Sequence, residues 1–202
     1  MYLSKIMISG AACRNPYEIH RVLWKLFQPD PCAARDFLFR VERSGQQNAE
    51  VLMQCMREPI ADTIRAVRLL ASKPYPLSLY QRQRLRFKLL ANPIKTINDE
   101  GGRIKADGEH KKCRVPLIRD EELQVWLVRK LAGAATVETV EVEKALPLHF
   151  RKGREVMSGK IQPVCFQGVL TVSDQVAMEN LVKGGIGPGK AFGCGMISLA
   201  RW

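Results

Sequence analysis

Residues 2–27 read YLSKIMISGAACRNPYEIHRVLWKLF, and a change of period inside this stretch decides the fold. YLSKIMIS alternates in the period-two manner of a strand. Asn15-Pro16 then supplies an N-cap and a first-turn proline for a helix running to about Phe27. On that helix Ile19, Val22, Leu23, Leu26 and Phe27 form an apolar stripe, with Arg14, Arg21 and Lys25 on the opposite face. Tyr17, His20 and Trp24 share one flank between the two.

Working outward, DFLFRVER and AEVLMQC read as two strands joined near Ser44-Gly45, a hairpin signal. Ile60, Ile64, Val67 and Ala71, with Leu70 beside them, predict a helix over 60–71, and a short strand near Leu77–Leu79 completes the order βαββαβ. From Arg82 the order starts again. RLRFKLLAN is a strand, a long polar hairpin follows, and a helix runs from about Asp120 to Leu131. Strands near 137–151 and 160–172, a helix from Asp174 to Lys183 and a last strand, GMISLA, close the second copy. The expected architecture is α+β: two tandem ferredoxin-like, RRM-like domains, residues 1–80 and 81–202. Such sheets often carry single-stranded RNA, although fold alone does not fix function.

The chain of 202 residues is 46% hydrophobic, enough for a real core, and lacks a run of apolar residues long enough for a membrane span. Its N-terminus has no secretory pattern, so the expected location is the cytoplasm. Cys13, Cys32, Cys55, Cys113, Cys165 and Cys194 form no close pair, and only His110 and Cys113 sit at ligand-like spacing. A structural zinc usually needs two close pairs, so the expectation is no metal, no cofactor and no disulfide framework.

Charge is the more informative signal. The chain carries 32 Lys and Arg against 20 Asp and Glu, a net +12, which suits a nucleic-acid partner, with solubility or an anionic membrane surface as the alternatives. Eleven of those cations, against four acids, lie between Arg82 and Arg119. Period two puts Arg82, Arg84, Arg86 and Lys88 on one face of their strand, a repulsive row that phosphates would relieve. The same row would also guard an edge strand against aggregation. Beyond it, Lys95 and a loop with Arg103, Lys105, Lys111, Lys112 and Arg114 could enter a nucleic-acid groove, or be merely solvated.

RNA carries its own nucleophile, a 2′-OH that attacks the adjacent phosphate once its proton is removed and the leaving oxygen is protonated. An imidazole can do either near neutral pH, and a phenol or cation can steady the developing charge. His20 with Tyr17, three residues apart on one helical flank, is the candidate pair, although a histidine at the border of an amphipathic helix is also a common structural residue. His110 and His149 have weaker claims. GGIGPGKAFGCG, residues 184–195, holds Gly185, Gly187, Gly189, Gly193 and Gly195 between a helix and a strand. Such a stretch permits close approach of backbone N–H groups to phosphate, with Lys190 as counter-charge. It is neither a Walker loop nor a dinucleotide fingerprint, since each requires a preceding strand.

With MYLSK, NPYEIHR, RLRFKLLANPIKT, CRVPLI, WLVRKL, SGKIQPVCFQGVLTV and GIGPGKAFGCGMISLA in place, the chain resembles the CasE endoribonucleases. These process CRISPR repeat RNA in type I-E systems and belong to the repeat-associated group of Cascade proteins. The pattern Gly185, Gly187, Gly193, Gly195 matches the signature of the wider group. The resemblance implies tandem ferredoxin-like domains and metal-independent cutting of precursor CRISPR RNA at the 3′ side of the repeat hairpin. The ends would be a 2′,3′-cyclic phosphate and a 5′-OH, with the mature guide RNA retained among other Cascade subunits. It also implies His20 and Tyr17 as the catalytic pair, and RNA contacts from Lys95, Arg129, Lys130, Arg151 and Lys160. Lys152 and Arg154 are interchangeable with Arg151. A non-catalytic RNA-binding subunit of a ribonucleoprotein complex is the alternative, and a partner-binding scaffold without RNA is a third class.

Overall fold

The computed structural model describes residues 1–28, 34–60, 66–99, 104, 107–151 and 158–202. Strand β1, Tyr2–Ser9, lies between β3, Asn48–Cys55, and β4, Val67–Pro74, and β2, Phe37–Ser44, is the outer partner of β3. All pairings in this sheet, ordered β2-β3-β1-β4, are antiparallel. Helix α1, Pro16–Trp24, covers one face. Asn15 caps it, accepting from the Tyr17 N–H at 3.1 Å, and Pro16 occupies the first turn. The helix ends three residues short of Phe27 because the N–H groups of Leu26 and Phe27 turn back three residues, to Leu23 and Trp24. Both side chains still reach the core made by Ile6, Ile8, Ile19, Leu23, Phe37, Phe39, Val51 and Met53.

The helix expected over 60–71 is overturned at its second half. Val67–Pro74 form β4 instead, paired along β1, and residues 61–65 lie outside the described residues. Val67 and Leu69 face the core at strand spacing, while Leu70 and Ala71, which completed the helical pattern, are exposed. The strand expected near Leu77–Leu79 is absent from the described residues, and Leu79 is instead buried in the second core.

The second sheet repeats the first. Strand β5, Arg84–Ala91, lies between β12, Ile197–Arg201, and β11, Val164–Val172, with β8, Ala135–Lys144, outside β11. The order β12-β5-β11-β8 is that of the first sheet with β5 in the place of β1, which makes the pair a tandem ferredoxin-like fold. Helices α2, Asp120–Leu131, and α3, Gln175–Gly184, cover one face. Acids in the first turn of α2 and Arg129 and Lys130 in its last turn suit the helix dipole. Two hairpins project from this frame: β6, Ile94–Asn98, with β7, Lys112–Pro116; and β9, Leu148–Arg151, with β10, Ser158–Ile161. No described helix is long and apolar enough to cross a membrane.

The modules are joined through β2 and β12, edge strands of their respective sheets. Arg40, 4% exposed, reaches across from β2. Its guanidinium donates to Glu42 at 2.7 Å, to the Ser198 hydroxyl at 3.0 Å and to the carbonyls of Met196 and Lys88 at 3.3 and 3.4 Å. Gln54 on β3 adds a 2.7 Å bond to the Val182 carbonyl of α3.

Candidate active site

His20 sits on the flank of α1 that the helical period assigns to it, half-buried among aromatic rings. Its centroid lies 5.5 Å from Phe37, 6.4 Å from Phe39 and 6.3 Å from Trp24, which meets it edge-on. Its Nε2 is buried with no hydrogen-bond partner among the described residues, and so is the Nε of Arg35. Burial, reinforced by the nearby Arg35 guanidinium, pulls the imidazole down to about 4, so that it is neutral at pH 7. Tyr17 lies one turn earlier on the same helix, half-buried.

The glycine-rich segment packs against this helix through the short 3-10 turn Lys190–Phe192, and β9 lies against the helix as well. Lys190 is held below the usual lysine range by burial, then by Arg35 and Lys130, while its Nζ donates to the Gly184 carbonyl at 2.6 Å. Arg35 thus bears on His20, and Arg35 and Lys130 bear on Lys190, whose turn packs on the same helix. Arg35 was not legible in the sequence: it lies in a loop without periodicity. Lys190 was visible only as a cation in a glycine-rich stretch.

Gly185, Gly187, Gly193 and Gly195 all hold positive φ. Their role in the fold is close packing. A Cβ at Gly187 would lie 2.9 Å from the Trp126 ring, and one at Gly195 2.9 Å from the Ile186 carbonyl oxygen. Gly185 and Gly193 abut Leu38 and Phe39 of β2, so the segment wedges between the modules. The N–H groups of Gly185, Ile186, Phe192, Gly193, Cys194 and Gly195 are spent on carbonyls within the fold.

The cations read from the sequence fall in several places. Arg84, Arg86 and Lys88 face away from α2 and α3, but Arg82 departs from the expected row, sitting in the preceding turn at φ 65°. The row also carries internal counter-charges: Arg84 pairs with Glu138 at 2.7 Å and Lys88 with Glu42 at 3.4 Å, while Arg84 and Arg86 lie over the Trp202 ring. Lys95 on β6 pairs with Glu122 at 3.0 Å. Lys111 and Lys112 are exposed where the projecting hairpin enters β7. Arg129 and Lys130 are exposed in the last turn of α2, Lys130 with its Nζ 5.9 Å from the Trp126 centroid. Arg151 ends β9 and Lys160, exposed, is on β10, whereas Arg103, Lys105, Lys152 and Arg154 lie outside the described residues. His149 pairs with Lys160 across the β9–β10 hairpin, and His110 closes an isolated bridge to Ile104. Cys13, Cys55, Cys165 and Cys194 are free thiols, burial pushing Cys55 and Cys194 up to about 12, and the Cys113 thiol donates to Asp99 at 3.0 Å; Cys32 lies outside the described residues.

A family model described as CRISPR associated protein matches residues 1–201. The CRISPR system Cascade subunit CasE of Escherichia coli K12 is 46% identical over 201 residues, 99% of each chain. The crystal structure of the CRISPR-associated protein Cas6e from Escherichia coli K-12 superposes with a TM-score of 0.86 at 43% identity, covering 100% of both chains. A structure of the CRISPR endoribonuclease Cse3 bound to 19 nt RNA gives a TM-score of 0.79 at 30% identity, again over 100% of both. With a family match over all but its last residue and one fold shared end to end, this chain belongs to the CRISPR-associated protein family that includes CasE and Cse3.

Proposed function

We propose that this chain is a CRISPR endoribonuclease that binds the repeat hairpin of precursor CRISPR RNA, cuts at the 3′ side of the stem and stays with the mature guide in a Cascade-type complex. Membership of a family with an RNA-bound endoribonuclease and a Cascade subunit supports the substrate class. The observation that carries the chemistry is the buried, unpartnered His20 Nε2 beside the unpartnered Arg35 Nε. Buried polar atoms without partners are costly in a folded protein, and a bound phosphodiester would relieve both.

His20, neutral at pH 7, takes the proton from the 2′-OH as the O2′–P bond forms. The bond from phosphorus to the 5′-oxygen breaks, that oxygen takes a proton from solvent, and the imidazolium returns its proton to solvent. The strand then ends in a 2′,3′-cyclic phosphate, and the released fragment begins with a 5′-OH. Arg35, Lys190 and Lys130 stabilise the charge that accumulates on phosphorus, and Tyr17 orients the imidazole or donates to a phosphate oxygen. The hairpin cations Lys95, Lys111 and Lys112, the row Arg84, Arg86 and Lys88, and Arg129, Arg151 and Lys160 supply phosphate contacts, several by exchanging an internal carboxylate for phosphate. The residues divide into domains at about 80.

A repeat RNA carrying a single 2′-deoxy nucleotide at the cut position tests the chemistry. The expected outcome is binding as tight as that of the all-ribose RNA, with no cleavage. Cleavage of the deoxy RNA at the normal rate would assign the nucleophile to water, and intact all-ribose RNA would leave a binding subunit without turnover.

A further inference from the structure

A cavity of about 840 Å³ opens where the roots of the two projecting hairpins meet the glycine-rich segment. Ile118, 64% exposed, Ile161 and the rings of Phe150 and Phe192, 4.2 Å apart, give it apolar walls. Phe150 lies directly over Gly159, where a Cβ would come within 2.3 Å of the ring, so the glycine fixes the ring's position. Arg114 and Lys160 line the cavity and make no ion pair among the described residues, whereas Lys144, also in the lining, is engaged by Asp120 at 2.8 Å. Among the described residues no carboxylate lines it; the amides of Asn92 and Gln162 do, the Gln162 N–H donating to the Ala145 carbonyl at 2.7 Å.

We propose that this cavity receives one unpaired nucleotide flanking the hairpin stem, its base against the Phe150–Phe192 pair and its phosphate toward Arg114 and Lys160. The inference rests on the endoribonuclease reading above and adds a specificity site to it. Aromatic faces beside uncompensated cations are the chemistry of single-strand recognition, and the neighbouring amides can read a base edge. A base inside the stem has both faces covered by its neighbours, so the occupant is a nucleotide outside the helix. Phe192 belongs to the 3-10 turn that packs on α1, and Phe150 to β9, which lies against the same helix. The cavity therefore adjoins the helix that carries His20.

The test uses repeat RNA made uncleavable by a 2′-deoxy nucleotide, with each flanking base replaced in turn by 2-aminopurine or by an abasic residue. One flanking position is expected to lose 2-aminopurine emission on binding and to regain it with Phe192→Leu. An abasic residue there should weaken binding to the wild type about tenfold, the scale of one base–aromatic stack, and weaken binding to Phe192→Leu far less. Arg114→Gln, at an outward position, keeps the test independent of repacking at Phe192. This variant should weaken binding of the flanked hairpin and spare a stem trimmed of its flanks. Abasic and Phe192→Leu losses that simply add, or equal losses on flanked and trimmed RNA, overturn the cavity assignment while leaving the endoribonuclease reading intact. Failure of the wild type to bind the hairpin at all overturns both.

Discussion

At the residue scale, the histidine flank was legible because helical period alone places Tyr17 and His20 together, and α1 does present them on one side. What makes His20 unusual was not legible. The rings of Phe37 and Phe39 come from β2 and Arg35 from the loop before it, and no local spacing predicts which loop cation meets a given helix. An imidazole held at about 4 against 6.5 in the unfolded chain binds fewer protons folded than unfolded between those values. Its contribution to stability is therefore complete above about pH 6.5 and is lost as the pH falls toward 4. A phosphodiester placed against His20 and Arg35 favours the charged imidazole and reverses the shift. Titrating the His20 Hε1 resonance should give about 4 in the free protein and a higher value with uncleavable repeat RNA. An unchanged or lower value in the complex would contradict phosphate binding at this position.

At the element scale, β1, the β2–β3 hairpin, β5 and α2 lie where alternation and helical spacing put them. The error at 67–71 has a plain cause. Val67, Leu70 and Ala71 continue the spacing of Ile60 and Ile64, and so imitate an amphipathic helix when the partner strand is unknown. Burial also cuts across the pattern at Arg40, whose alternation beside Phe39 and Val41 assigns it to solvent; the second module covers that face. The β6–β7 hairpin carries the clearest element-level prediction. Lys111→Gln with Lys112→Gln should weaken hairpin binding and reduce the slope of log affinity against log salt by up to about two, as two phosphate contacts are lost. An unchanged slope would remove this hairpin from the RNA interface.

At the scale of the whole molecule, the repeated strand order was readable as a duplication, but the way the copies lock together was not. Arg40, Gln54 and the glycine contacts with Leu38 and Phe39 tie the modules across their edge strands. Removing the guanidinium leaves the buried Met196 carbonyl without that donor and the half-buried Glu42 without its ion pair to Arg40, a cost of about 1–3 kcal/mol. Arg40→Met should lower the melting temperature and split the calorimetric transition as the modules uncouple. A single transition at the wild-type temperature would show that the junction is held elsewhere.

In the proposed mechanism one buried imidazole meets a ribose hydroxyl, and no metal is needed to break the strand. Single-turnover cleavage of the labelled repeat RNA in EDTA, by wild type and by His20→Ala, separates this from a metal-assisted or His20-independent cut. Wild type is expected to cut normally, and His20→Ala to lose about 10²–10⁴-fold or more with hairpin affinity close to unchanged. Cleavage by His20→Ala at the wild-type rate, or a wild type silenced by EDTA, would contradict it.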